Sequence, residues 1–83
     1  MPIDAIVLNL DGTLIDSTSL GTLRDEGQWQ ECIANIHTTR CFPYVERVLS
    51  RLSENGVRVG VVTSSVTSYA ERVLRHHHIA GMC

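Results

Sequence analysis

The chain has 83 residues, of which 43% are hydrophobic and 19% charged, with a formal net charge of -2 at pH 7. It has no basic run that favours nucleic-acid binding, and no apolar stretch approaches the ~20 residues that a membrane-spanning helix needs, so we expect a cytoplasmic protein. Three cysteines without Cys-x-x-Cys spacing argue against a disulfide framework and a zinc ribbon, and are expected to be free thiols: Cys32, Cys41 and Cys83.

The first predicted elements are a strand and a helix. Ala5 to Leu10 is a nearly uninterrupted apolar run, which is typical of a strand that is covered on both faces. Arg24 to about Thr38 is predicted to be one helix because its apolar residues recur at helical spacing. These apolar residues are Trp29, Cys32, Ile33 and Ile36.

A second helix, a second strand and a third helix follow. Pro43 is predicted to open the second helix, where a missing N–H costs nothing, and Gly56 to end it. Val57 to Thr63 is rich in β-branched residues and is predicted to be a strand. Ser64 or Ser65 is predicted to cap the third helix. The expected apolar stripes are Val45, Val48, Leu49 and Leu52 on the second helix and Val66, Tyr69, Ala70, Val73 and Leu74 on the third.

This β-α-α-β-α order predicts the opening half of a doubly wound α/β fold with a parallel sheet. Both strands are predicted to be buried on both faces, yet two parallel strands leave two open edges. We therefore expect a fragment of a longer protein, or a chain whose sheet is completed by a partner chain or a second copy.

An amide side chain and a carboxylate side chain lie at the end of the first strand. Asn9 and Asp11 enter a turn at Gly12, outside the carboxyl end of the strand, where open α/β sheets bind their ligands. An ordinary Asx turn at this point is the alternative interpretation. A calcium loop is excluded because its twelfth position, which requires Glu, is Leu20.

Residues 6–17, Ile-Val-Leu-Asn-Leu-Asp-Gly-Thr-Leu-Ile-Asp-Ser, resemble the first motif of the haloacid dehalogenase-like (HAD) superfamily, Asp-x-Asp-Gly-Thr-Leu-x-Asp-Ser. They depart from it at Asn9. Residues 60–65, Gly-Val-Val-Thr-Ser-Ser, are similar to the second motif, a strand that ends in Thr or Ser. The resemblance implies one HAD-like Rossmannoid core unit over residues 1–83, with a helical segment at 20–40 in place of a large cap. The family's later Lys and acidic pair are absent from the chain.

This resemblance implies a Mg²⁺-dependent phosphomonoester hydrolase that acts through an aspartyl-phosphate. Asn9 stands at the position of the nucleophile, and Asp11 is the implied general acid/base. Asn9 and Asp11 are also the implied contributors to the Mg²⁺ site. The phosphoryl group of a phosphorylated small molecule or macromolecule would be bound by Gly12, Thr13, Thr63 and Ser64.

Asn9 puts this activity in question. A carboxamide is neutral and a poor nucleophile toward phosphorus, so we expect negligible turnover from this chain. The alternatives are a non-catalytic pseudophosphatase or binding module, and a truncated chain with no independent fold.

The remaining polar residues have structural interpretations. Asp16 and Ser17 are expected to cap or close the turn, and Arg24 is expected to lie on the solvated surface, with proximity to the site as the alternative. Trp29 and Tyr69 are expected to be core residues. Consecutive helical residues point in different directions, so the run at 76–78, His-His-His, is predicted to mark a helix end and not a metal site.

Overall fold

The computed structural model describes residues 4–83 and contains four strands and four α-helices within that range. In chain order these are β1 (Ala5–Asn9), β2 (Ile15–Asp16), α1 (Gly21–Asp25), α2 (Trp29–Ala34), β3 (Arg40–Cys41), α3 (Val45–Glu54), β4 (Arg58–Val62) and α4 (Thr67–His76). Short 3-10 turns occupy Thr18–Leu20, Ile36–Thr38 and Ala80–Met82.

A two-stranded parallel sheet carries the site. β1 pairs with β4 from Ala5 opposite Arg58 to Asn9 opposite Val62, so both strands end at the same edge. The predicted α/β fold class and parallel pairing are confirmed. The antiparallel pair of β2 and β3 was not predicted. Two residues per strand are too few to give an alternating pattern in the sequence.

The single helix predicted from Arg24 to Thr38 is wrong. Gly27 lies between α1 and α2 with a φ of 69°, a left-handed conformation that ends the first helix and that glycine adopts without strain. The apolar spacing nevertheless identified the inward face, because Cys32 and Ile36 are buried. The segment 20–40 is therefore helical but broken.

The second predicted helix is close to α3. The helix begins at Val45 after Tyr44, so Pro43 precedes the helix and does not open it. Gly56, with a φ of 71°, follows its end as predicted. Val48 is 42% exposed, so its assignment to the buried stripe is wrong, because it lies at the margin of that stripe.

The third predicted helix corresponds to α4, but neither serine caps it. Val66, in an extended conformation and 39% exposed, stands at the N-cap position without a side-chain cap hydrogen bond. The expected burial of Val66 is therefore also wrong. Ser65 instead donates its hydroxyl hydrogen to Asp11.

The hydrophobic core lies on one side of the sheet. Its buried members are Leu10, Leu14, Ile15, Leu20, Cys32, Ile36, Val45, Leu49, Val59, Tyr69, Ala70, Val73 and Ile79. On the other side Val7 and Val62 are 66% and 53% exposed, so burial of both faces was a wrong expectation for residues 4–83. The three cysteines are free thiols, as predicted. Within these residues no helix combines the length and apolarity needed to cross a membrane.

Candidate active site

A small polar cavity lies where the two parallel strands end. It has a volume of about 130 Å³ and includes the last residues of β1 and β4 together with the residues that follow them. Its lining consists of Asn9, Leu10, Asp11, Arg24, Val62, Thr63 and Ser64. This position matches the ligand-binding edge expected of an open α/β sheet.

The turn after β1 places Asp11 in this cavity. The carbonyl oxygen of Leu10 accepts hydrogen bonds from the N–H groups of Leu14 and Ile15, at 2.9 and 3.0 Å. Gly12 supplies the positive φ, 84°, that this tight turn requires. The chain therefore reverses immediately beyond Asp11, which holds that residue at the strand end.

The carboxylate of Asp11 is held by four side chains. Ser17 and Tyr69 donate hydroxyl hydrogen bonds to Oδ1, at 2.6 and 3.3 Å. Ser65 donates to Oδ2 at 3.0 Å, and Nη2 of Arg24 lies 3.6 Å from the same oxygen. Because the side chain of Asp11 is only 10% exposed, these contacts fix its orientation at the edge of the cavity.

Arg24 reaches the cavity from α1. Its Nη1 donates a hydrogen bond of 3.1 Å to Oγ of Ser17, which in turn donates to Asp11. The expected placement of Arg24 on the solvated surface is therefore wrong, and the alternative, proximity to the site, is confirmed. Its neighbours Asp25 and Glu26 are exposed.

Tyr69 joins the core to the site. Its side chain is completely buried, and its ring lies 5.6 Å from that of Trp29, between centroids, in a tilted arrangement. Burial, followed by the negative charge of Asp11, raises the pKa of Tyr69 to about 12, so the phenol remains a donor at neutral pH. The sequence predicted a core residue but missed the contact with Asp11. A tyrosine in an apolar stripe was the available signal, since a buried hydroxyl needs a partner.

The structure brings together four of the residues singled out in the sequence: Asn9, Asp11, Thr63 and Ser64. Gly12 and Thr13 do not line the cavity. Their N–H groups donate within the turn, to the carbonyl oxygens of Ile15 at 2.8 Å and Leu10 at 3.4 Å, and so are not directed to a phosphoryl group. Thr63 Oγ1 accepts a hydrogen bond of 3.0 Å from the N–H of Ser65, which leaves its own hydroxyl hydrogen available.

Two further predictions concern turns and helix ends. Asp16 accepts hydrogen bonds from the hydroxyl and N–H of Thr18, which lower the pKa of Asp16 and close the turn as expected. The histidine run lies at the end of α4, as predicted, and His77 shares a hydrogen bond of 2.7 Å with the hydroxyl of Thr39. Burial, then the neighbouring histidines, lowers the pKa of His77, so protonation of this ring is not favoured.

The sequence profile of one phosphatase family matches residues 5–81, almost the whole chain. The chain belongs to the NLI interacting factor-like phosphatase family. This finding confirms the HAD-like resemblance drawn from the two motifs. Nothing among the curated proteins matches this phosphatase-family chain.

A solved structure gives independent support for the fold. A crystal structure at 1.7 Å of a candidate phosphatase from Clostridium difficile superposes on the NLI interacting factor-like chain with a TM-score of 0.75 and 21% sequence identity. The match covers 99% of this chain and 59% of the Clostridium difficile protein. At this identity the similarity establishes the fold alone, as a partial HAD-like core.

HAD-like phosphatases generally use Mg²⁺, and in this NLI interacting factor-like chain its ligands would have to come from the same cavity. Mg²⁺ prefers carboxylate oxygens in an octahedral arrangement. Of the described residues, Asp11 is the only carboxylate in the lining. It already accepts hydrogen bonds from three hydroxyls, and a guanidinium lies 3.6 Å from it. Among residues 4–83 no three His, Cys, Asp or Glu side chains are grouped so as to hold a metal ion. The side chains of this cavity therefore do not form a Mg²⁺ site by themselves.

Proposed function

We propose that the chain is the N-terminal part of a HAD-type phosphomonoester hydrolase core whose catalytic step is impaired by Asn9. The observation that supports this is the convergence of Asn9, Asp11 and Thr63 on one polar cavity at the ends of the paired strands. In this proposal Asp11 is the general acid/base, and Thr63 and Ser64 donate hydrogen bonds to the phosphoryl oxygens.

The reaction explains why position 9 is decisive. A carboxylate there attacks phosphorus to form an aspartyl-phosphate, and the acid two residues later gives its proton to the departing alcohol oxygen. The same residue then removes a proton from the water that releases inorganic phosphate. Asn9 is uncharged and is a poor nucleophile, and loss of one member of a cooperating set usually removes most of the activity.

In this proposal the core binds Mg²⁺ only when additional ligands are present. The family's metal would require acidic side chains beyond those of residues 4–83, because the cavity provides a single carboxylate. The chain spans 59% of the length of the Clostridium difficile protein, so the activity of a complete core is itself part of the proposal.

The substrate and partners follow from the same reasoning. We infer that the ligand is a phosphorylated small molecule or macromolecule and that the protein acts in the cytoplasm. The open edges of the β1–β4 sheet would be completed by further strands of a longer protein, by a partner chain or by a second copy of the chain. A non-catalytic phosphate-binding module is the second candidate, favoured specifically by Asn9 and by the restrained carboxylate of Asp11.

Hydrolysis of a generic aryl phosphate in the presence of Mg²⁺ tests the catalytic proposal. In a core completed by the acidic residues that Mg²⁺ requires, the unmodified sequence is expected to show background rates, and Asn9→Asp is expected to show low but measurable turnover. The double variant Asn9→Asp/Asp11→Asn should return to background while keeping a folded circular-dichroism spectrum. Background rates from a folded Asn9→Asp variant would instead favour the binding module.

A further inference from the structure

We propose that Arg24 is the residue that binds the anionic group of the ligand, and that it does so without a metal ion. This inference rests on the proposed function, because it assigns a role in the same cavity. Arg24 is a cation of the helical segment 20–40 and lies outside both sequence motifs.

The first argument is that the guanidinium has unused donors. An arginine side chain carries several N–H donors in a rigid fork. Nη1 donates to Ser17, whereas Nη2 lies 3.6 Å from Asp11, which is ion-pair contact and not a hydrogen bond. Nε of Arg24 is buried and has no hydrogen-bond partner among residues 4–83. Because Nε has almost no accessible surface, an incoming oxyanion would be bound by the remaining N–H groups of Nη1 and Nη2, on a side chain that is 25% exposed and lines the cavity.

The second argument is the composition of the cavity. Its volume of about 130 Å³ far exceeds the roughly 10–15 Å³ that one ordered water requires, so a small polar group can enter. The side chains of Asn9, Thr63 and Ser64 add amide and hydroxyl donors to those of Arg24. Phosphate is an acceptor that arginine binds through two parallel hydrogen bonds.

The third argument is the charge balance. Within the part of the chain that the structure describes, Asp11 and Arg24 are the only charged residues of the lining, and their charges cancel. Aspartate at position 9 would make the lining net negative, which favours a cation and opposes an anion. Asparagine at this position therefore suits direct anion binding, while the hydroxyls of Ser17, Ser65 and Tyr69 offset the charge of Asp11.

Titration calorimetry of the full chain with inorganic phosphate, in the presence of EDTA, tests this inference. The unmodified chain is expected to bind phosphate. Arg24→Gln should bind roughly ten- to hundredfold more weakly, as expected for loss of charge-assisted hydrogen bonds. Asn9→Asp should also weaken binding under these conditions. Arg47→Gln, on the exposed side of α3 and outside the cavity lining, is the matched control and should bind as the unmodified chain does.

Two results would overturn the inference: no phosphate binding by the folded chain in EDTA, or unchanged affinity in Arg24→Gln. If Arg24→Gln does not fold, Arg24→Lys decides, because it keeps the charge but loses the fork. Weaker binding by the lysine variant supports the inference, and unchanged binding contradicts it. Phosphate binding through Arg24 without hydrolysis by Asn9→Asp in the completed core would reject the catalytic proposal alone, so the two failures are distinguishable.

Discussion

The hydroxyl of Tyr69 donates a hydrogen bond of 3.3 Å to Oδ1 of Asp11, which lies 58 positions earlier in the chain. This contact links α4 to the turn after β1. Because Tyr69 is completely buried, burial together with the charge of Asp11 raises its pKa from 10.0 to about 12. The neutral phenol is thus the form that the folded state stabilises.

This pKa predicts a loss of stability at alkaline pH. Between pH 10.0 and about 12 the folded chain retains a proton on Tyr69 that the unfolded chain releases, so the free energy of unfolding falls as pH rises. The contribution is fully present below pH 10.0. Urea unfolding at one pH below 10.0 and at one pH between 10.0 and about 12, for the unmodified chain and for Tyr69→Phe, measures the effect. All seven basic residues are arginines, so no lysine titrates in this range.

Tyr44→Phe is the matched control for this experiment. Tyr44 is 52% exposed and donates its hydroxyl hydrogen to the carbonyl oxygen of Thr13 at 2.9 Å. Its variant should lose stability with pH as the unmodified chain does, whereas Tyr69→Phe should lose less. An equally steep loss in Tyr69→Phe would show that another group is responsible.

The sequence predicted the parallel strands and the two longer helices well, because each has a sustained apolar pattern. It also placed Asn9, Asp11, Thr63 and Ser64 at one edge of the sheet, since parallel strands end on the same side. It did not predict the contacts of Asp11 with Arg24 or with Tyr69. These depend on how separate segments pack, and apolar spacing within one segment does not report that.

The break between α1 and α2 has a different cause. The apolar spacing from Trp29 to Ile36 reports which side chains face the core. The turn at Gly27 precedes this run and therefore does not disturb its spacing. Backbone conformation at one glycine decided the outcome, and the apolar pattern does not contain this information.

Alanine at Gly21 and at Gly27 tests the break directly. An added Cβ meets nothing within 4 Å at either position, so the backbone alone determines the effect. Gly21 is helical, with a φ of -51°, and Gly21→Ala should stabilise the chain by about 0.5–1 kcal/mol. Gly27 has a φ of 69°, and Gly27→Ala should destabilise it by about 1–2 kcal/mol.

Urea unfolding of the two variants measures both changes in the free energy of unfolding, which are expected to have opposite signs. Each variant serves as the control for the other, because the chemical change is the same. Stabilisation by both alanines would contradict the left-handed turn and would support a continuous helix through position 27.

The open face of the sheet gives a further matched pair. Val7 is 66% exposed on this face, whereas Val59 is 8% exposed on the face that meets the core. Val7→Thr should change the free energy of unfolding by no more than about 0.5 kcal/mol, as is usual at a surface position. Val59→Thr should cost about 1–3 kcal/mol, because it buries a hydroxyl in apolar surroundings.

A cost at Val7 similar to that at Val59 would show that the open face is covered in solution, which contradicts its exposure in the isolated chain. The dependence of the unfolding midpoint on protein concentration then shows whether a second copy covers this face. If a second copy packs on Val7, the unfolding midpoint should rise with concentration, and Val7→Thr should reduce that dependence. If the midpoint does not depend on concentration, Val7 must be buried within the same chain, and a second copy packed on Val7 would be rejected.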